Sequence, residues 1–226
     1  MTAVELSIDS ASDWASIALS REGQAFAETT WRSRRQHSTQ LMPAIEALLA
    51  RFGIERSELT AVFVCVGPGS YAALRAGVSV AKGLAFAFGV PIVGVGRLEL
   101  DAYPYAGCGR PLCAVHRAGR GEAAWAVYEG PKERWSEVME PRMSSVEAML
   151  AAAPRDALFC GEEDDDLGSL LVGVGEAGRG RALVAGRRRA DHLAELAWRR
   201  LAAGQAGDAR SLAPLYLREP AIGPQS

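Results

Sequence analysis

The sequence predicts an α/β fold in which helices pack on a mixed sheet, and three observations carry the prediction. Alternating apolar runs at 4–8, 14–19 and 24–31, parted by the polar turns 9–13 and 20–23, read as a three-stranded meander. After residue 37 the apolar period changes to helical spacing and then alternates between helices and short apolar runs. With 226 residues, 49% hydrophobic and 23% charged, the chain can bury a real core, as one large domain or two small ones.

Each element is set by its own residues. From Ser38 onward Leu41, Met42, Ile45, Leu48, Leu49 and Phe52 recur at helical spacing, and Gly53 is a natural stop. The run 61–66 reads as a buried strand, 71–88 as a helix closed by Gly89 and followed by Pro91, and 90–95 as another strand. The order β-β-β-α-β-α-β, meander first and crossovers later, sets the helices on a mixed sheet. Further on, 110–116 and 123–128 predict strands of a small second sheet, 145–152 a short helix capped by Ser144 or Ser145, and 191–203 a final helix with Leu193, Leu196, Ala197 and Leu201 on one stripe. A lobe boundary falls near 100–110, giving an N-terminal lobe of 1–105 and a smaller C-terminal lobe of 106–226.

The joint between strand 61–66 and helix 71–88 is the richest candidate site. Gly67 and Gly69 reach backbone angles closed to other residues, Pro68 stiffens the turn, and Ser70 is placed to cap the helix. Such a helix start favours anions, although a plain strand-to-helix connection accounts for the same residues. No Gly-Lys-Ser/Thr ending is present after it, so a P-loop's phosphate lysine and magnesium hydroxyl are both missing.

Composition narrows the function classes. A formal net charge of −2 argues against binding nucleic acid by bulk electrostatics and leaves only local patches. Residues 1–8 include Glu5 and carry no basic region followed by a long apolar run, so a secretory leader is not expected, and a cytoplasmic location is. Cys65, Cys108, Cys113 and Cys160 are too scattered for a disulfide scaffold or zinc ribbon; free thiols are expected, with a Cys108–Cys113 link the minor reading. The helix 71–88 is small on most faces, with Ala72, Ala73, Ala76, Gly77, Ser79, Ala81, Gly83, Ala85 and Ala87. Its two glycines cost about 1 kcal/mol each in helix propensity, so packing against this chain's own sheet, or against a second protein, compensates.

Six stretches form a specific combination: Leu6-Ser7-Ile8-Asp9-Ser10-Ala11-Ser12, His37-Ser38-Thr39-Gln40-Leu41-Met42-Pro43, Gly67-Pro68-Gly69-Ser70-Tyr71 through Leu74-Arg75-Ala76-Gly77, Ala81-Lys82-Gly83-Leu84-Ala85, Val90-Pro91-Ile92-Val93-Gly94-Val95 and Pro214-Leu215-Tyr216-Leu217-Arg218. Together they resemble the bacterial TsaB proteins, formerly YeaZ, which act in threonylcarbamoylation of tRNA. The resemblance implies an actin-like ATPase-domain fold, of the ribonuclease H-like kind, with two lobes of which the second is reduced. It also implies a non-catalytic partner of TsaD, the related subunit that moves a threonylcarbamoyl group from its adenylate to the adenosine beside the anticodon, with a TsaE-type ATPase completing the assembly.

The chemistry of the residues agrees with a non-catalytic part. Where TsaD-like proteins carry a His-x-x-x-His pair after the strand resembling 90–95, this chain has Arg97 and Asp101, which suit an i,i+4 ion pair rather than a metal. His37, His116 and His192 are far apart, and no shared metal site is expected. The loop 9–13 has two acids, Asp9 and Asp13, and no glycine at the place where actin-like kinases put a phosphate loop. Ala72 and Ala73 replace the family's usual threonine and glycine, and His116-Arg117-Ala118-Gly119-Arg120-Gly121 departs from its usual Asp-Ala-Arg stretch.

Two further patterns are weighed. Gly173-Val174-Gly175-Glu176-Ala177-Gly178 matches the dinucleotide spacing, yet Arg179-Gly180-Arg181-Ala182-Leu183 and then Gly186 with three arginines make a poor helix, and a surface loop is the better reading. The acidic run 162–166 and basic run 187–189 read as solvated faces of opposite sign that attract across a lobe; an RNA contact by Arg179, Arg181 and Arg187 to Arg189 is the sharper alternative.

The expectation is therefore a scaffold and activator of a TsaD-like catalytic subunit, working with a TsaE-like ATPase. It includes a possible homodimer when alone, indirect tRNA contact, and no cofactor, metal or catalytic residue. Helices 38–52 and 71–88 are expected to form the interface through Leu41, Ile45, Leu48, Tyr71, Leu74, Arg75 and Val78, with membership of the chain's own core the equal alternative for several of them. A weaker anion or nucleotide loop would use Asp9, Ser10, Gly67, Gly69 and Ser70. The alternatives are a self-contained nucleotide-binding enzyme of the actin-like class, with acids such as Asp9 holding magnesium, and, far behind, a glycoprotein-cleaving protease, for which no activated nucleophile is visible.

Overall fold

The structure, a computed structural model, describes residues 3–119, 121–162, 183–186 and 188–217. The chain divides into two compact units, one drawn from Met1–Arg97 and Arg188–Tyr216, the other from Leu98–Arg187 and Leu217–Ser226.

The first unit is built on strands β1 (Val4–Asp9), β2 (Trp14–Arg21), β3 (Gln24–Arg32), β4 (Leu59–Gly67) and β5 (Ile92–Gly96) in the order β3-β2-β1-β4-β5. The meander pairs antiparallel, and β4 and β5 join parallel to β1 and to each other. Parallel neighbours need crossovers, which are supplied by helices α1 (His37–Arg51) and α2 (Tyr71–Phe88). Successive side chains of a strand point to opposite faces. Val4, Leu6 and Ile8 accordingly join Val62, Val64, Leu41, Ile45, Val78 and Ala81 in one apolar core. The alternate residues Glu5, Ser7 and Asp9 are buried polar groups. Helix α5 (Ala190–Ala202) packs on β1, β2, β3 and β5, burying Leu193, Ala194, Leu196 and Ala197.

The chain leaves this unit through the short helix α3 (Arg97–Ala102). In the second unit β6 (Leu112–Gly119), β7 (Glu122–Glu129), β8 (Ser136–Ser145), β9 (Leu158–Gly161) and β10 (Leu183–Ala185) form a sheet of order β10-β9-β6-β7-β8. Helix α4 (Val146–Ala152) packs on β7 and β8, and Ser145 caps it by accepting from the Ala148 N–H. Cys113, Val115, Trp125, Val127, Met149 and Phe159 form its core.

Element types match the sequence reading closely, with three differences. Strands β8, β9 and β10 and helix α3 have no counterpart in the expected elements; of these, β8 is an edge strand, mostly exposed, and its charged residues and Pro141 break the alternation that would have marked it. The expected lobes 1–105 and 106–226 differ from the two units chiefly at 188–216, which return to the first sheet because the apolar stripe of α5 is buried there. Third, Ser70 stands at the α2 N-cap, but its side chain makes no capping bond.

Candidate functional site

The loops after β1 and β4 close on each other through bonds made by Ser10 and Ser70, beside the bonded Asp9. Asp9 accepts from the Ala11 N–H at 2.9 Å through Oδ1 and from Arg188 Nε at 2.8 Å through Oδ2. The same guanidinium donates to Ser12 Oγ at 3.2 Å. The Ser10 hydroxyl donates to the Ala73 carbonyl at 2.8 Å, and the Ser70 N–H donates to the Ala11 carbonyl at 3.1 Å. Gly69 lies so close to the Ala11 carbonyl that a Cβ there would overlap it, and one on Gly77 would overlap Ser10 Oγ. The turn itself needs a glycine at Gly67, whose φ is +103°.

The closure decides what chemistry the joint can do. The positive charge that balances Asp9 comes from this chain's own guanidinium, buried beside it. A phosphate between the loops would have to replace a backbone hydrogen bond and a backbone contact already made. Cys65, at the end of this strand, is held protonated by burial, with the Asp9 charge adding to the effect, so its thiol is no nucleophile.

The proposed interface residues separate into two groups. Leu41, Ile45, Leu48, Leu74 and Val78 lie in the unit's own core and offer no surface. Tyr71 and Arg75 are exposed: the Arg75 guanidinium lies over the Tyr71 ring, donates to its hydroxyl at 3.2 Å, and the Tyr216 ring packs against Tyr71 at 5.0 Å. Along the same side of α2 run the exposed positions Ala72, Ser79, Gly83 and Phe86, the last 73% exposed, with open space around Gly83. Helical periodicity marked the apolar stripe, which the protein itself buries; the outward face is small-residued, ends in aromatics, and left no apolar signal.

His37 is buried, with Nε2 2.9 Å from the Ser12 carbonyl, and desolvation pulls its pKa below the ordinary value despite that bond and the nearby Asp13 and Asp9 charges. His192 sits beside Asp191 at the start of α5. Among the described residues no three His, Cys, Asp or Glu side chains gather as a metal site, and all four cysteines are free thiols. Arg97 and Asp101 are both buried on α3. Gly173 to Gly178, Arg179, Arg181, Arg187, Arg120 and Arg218 lie outside the described residues, as does 163–166 of the acidic run. Of the described members of the basic run, Arg188 binds Asp9, and Arg189 binds Glu28 at 2.7 Å and Asp191 at 3.1 Å.

Residues 29–162 match the family model for TsaD, tRNA N6-adenosine threonylcarbamoyltransferase. The Bacillus subtilis protein called tRNA threonylcarbamoyladenosine biosynthesis protein TsaB is 30% identical over 161 residues, 70% of each chain. Its Escherichia coli namesake is 32% identical over 127 residues, 55% of this chain and 54% of that one. The solved structure of YeaZ from Pseudomonas aeruginosa superposes with a TM-score of 0.81 at 26% identity, covering 95% of this chain and 100% of that one. The chain belongs to the TsaB (YeaZ) family. Its fold is the actin-like, ribonuclease H-like α/β fold with two lobes that the resemblance implied.

Within this TsaB-family chain, three contacts escaped the sequence reading. Arg188 reaches Asp9 from 179 residues away. Lys82, part of a recognised stretch, donates to the carbonyls of Arg210 at 3.2 Å and Leu212 at 2.8 Å. The segment so held continues to Tyr216, whose ring completes the stack on Tyr71. The sign that could have found Lys82 is its place as the one cation on an otherwise small and apolar helical turn.

Proposed function

We propose that this protein serves N6-threonylcarbamoyladenosine formation in tRNA as a non-catalytic scaffold and activator of a TsaD-type transferase. The observation that carries the non-catalytic part is the closure of the two loops: Asp9 is neutralised by Arg188, and Gly69 and Ser70 meet Ala11 backbone to backbone. A self-contained nucleotide-using enzyme of the actin-like class needs that acid for a metal ion and that gap for phosphate.

Association uses the outward face of α2, with Tyr71, Arg75 and Phe86 around the small positions Ala72, Ser79 and Gly83. Small side chains let a partner helix approach closely, and exposed aromatics supply the anchors that interfaces favour. Ala72 and Ala73 in place of the family's threonine and glycine remove a hydroxyl and fill a glycine space; the exposed Ala72 bears on partner choice. A TsaE-type ATPase joins the assembly, and a second copy of this chain is the alternative occupant of the face when the transferase is absent.

The test is a reconstituted modification reaction. Threonylcarbamoyl transfer to tRNA by the TsaD-type protein is measured with and without this chain and a TsaE-type protein. Stimulation that survives Asp9→Asn supports the reading. Transfer that needs no added chain, or nucleotide hydrolysis by this chain alone, overturns it.

A further inference from the structure

We infer that the loop between β3 and α1 is an RNA-backbone contact, a rigid turn that presents Arg32, Arg34 and Arg35 to phosphodiester groups. The choice of RNA over an acidic protein rests on the proposed function, service in tRNA modification.

The first observation is backbone conformation. Arg34 and Arg35 have φ of +48° and +67°, and the Gln36 N–H donates to the Ser33 carbonyl at 3.0 Å. Two central residues at positive φ closed by that bond are the signature of a type I′ turn, a conformation that selects asparagine and glycine. At its β2–β3 hairpin the chain meets half of that preference, with Glu22 at positive φ followed by Gly23. At 34–35 it places two long cationic side chains instead. Glu22, Arg34 and Arg35 are the non-glycine residues at positive φ among those described, and adjacent ones holding side chains against local preference mark a functional turn.

The second observation is that the turn has a fixed base and a free rim. The Ser33 N–H donates to the Asp13 carbonyl at 2.7 Å, His37 Nε2 lies 2.9 Å from the Ser12 carbonyl, and Trp31 Nε1 donates to Gln40 Oε1 at 2.9 Å. Ser33 and His37 are buried, whereas Arg32, Arg34 and Arg35 are exposed. Neither Arg34 nor Arg35 has a carboxylate partner among the described residues, and Arg32 approaches Asp13 only to 3.9 Å, with both side chains more than half exposed. An exposed pair of that length contributes little.

The third observation is what the other arginines do. Arg188 and Arg189, in the basic run for which the sequence reading weighed RNA contact as an alternative, are committed to Asp9, Glu28 and Asp191. The 32–35 turn keeps its charge for an outside anion. Guanidinium forks bind phosphate oxygens two at a time, and a turn that spaces them on a rigid base loses little freedom on binding. Such contacts position a nucleic acid without reading its sequence.

The test titrates the full-length chain into fluorescently labelled tRNA transcript, by anisotropy, across a series of salt concentrations. The Arg34→Asn/Arg35→Gly variant supplies the residues that the turn prefers, so its unfolding midpoint should hold or rise. It is expected to bind tRNA about tenfold more weakly at low salt, with a log–log salt slope shallower by about 1 to 2. Arg34→Lys/Arg35→Lys should retain most of the affinity. The inference is overturned if wild type does not bind tRNA, or if the Asn-Gly variant binds with unchanged affinity and slope. It is also overturned if that variant keeps tRNA binding and loses association with the TsaD-type protein, which would make the loop a protein contact. Light scattering with the TsaD-type protein runs in parallel: a complex that forms while tRNA binding ignores the turn sinks this inference alone, and lost tRNA binding in a chain that forms no complex sinks the scaffold reading alone.

Discussion

Arg188 Nε lies 2.8 Å from Asp9 Oδ2, with the two side chains only 4% and 3% exposed, so the start of α5 is tied to the end of β1 by a desolvated ion pair. Removing one member leaves an uncompensated charge, which costs about 3–5 kcal/mol, while replacing both with apolar groups can be close to neutral. Arg188→Met should therefore destabilise strongly in chemical denaturation, and Asp9→Leu/Arg188→Met should recover most of the loss. Equal instability of the single and double variants would show that the pair is incidental.

The two glycines of α2 should respond with opposite signs. A methyl at Gly83 meets nothing, so Gly83→Ala should gain about 1 kcal/mol from helix propensity. A methyl at Gly77 meets the Ser10 hydroxyl that binds the Ala73 carbonyl, so Gly77→Ala should lose about 1–3 kcal/mol to overpacking. Thermal unfolding of the two variants checks this, with one midpoint raised and the other lowered.

That contrast shows where sequence reasoning ran out. Period-2 and helical patterns located β1, β2, β3, α1 and α2 to within two residues at each end, because each buries a continuous stripe. The same patterns named Leu41, Ile45 and Leu74 as interface, because an apolar stripe records that something covers it and not what. The tie between Asp9 and Arg188 spans 179 positions, and no local pattern carries such a distance. Positive φ at Arg34 and Arg35 runs against the turn preferences that a sequence reading applies.

The buried imidazole of His37 gives the stability a pH dependence. Burial holds its pKa below the ordinary 6.5, so near and below that value the unfolded chain binds more protons than the folded one. This contribution is present in full above about pH 6.5 and is lost on acidification. Urea midpoints measured between about pH 5 and 8 should rise with pH, and His37→Gln should flatten the rise.

Lys82 fastens the segment 207–216, which is also held by Gly207 N–H to the Ile92 carbonyl at 2.8 Å and Leu215 N–H to the Val66 carbonyl at 2.7 Å. Lys82→Met removes two charge-assisted bonds, about 1–3 kcal/mol of local stability. Limited proteolysis within 208–216 should accelerate about 5- to 100-fold, and a cleavage rate equal to wild type would mean that the backbone bonds suffice.

The central claim is association through the outward face of α2, and the most direct measurement is the mass, by size-exclusion chromatography with light scattering, of this chain mixed with the TsaD-type protein of the same organism. Wild type should form a new species at the summed mass. Gly83→Glu, in open space and compatible with folding, should return two separate peaks. Two unchanged peaks for wild type, or a complex that the glutamate leaves intact, would contradict the account.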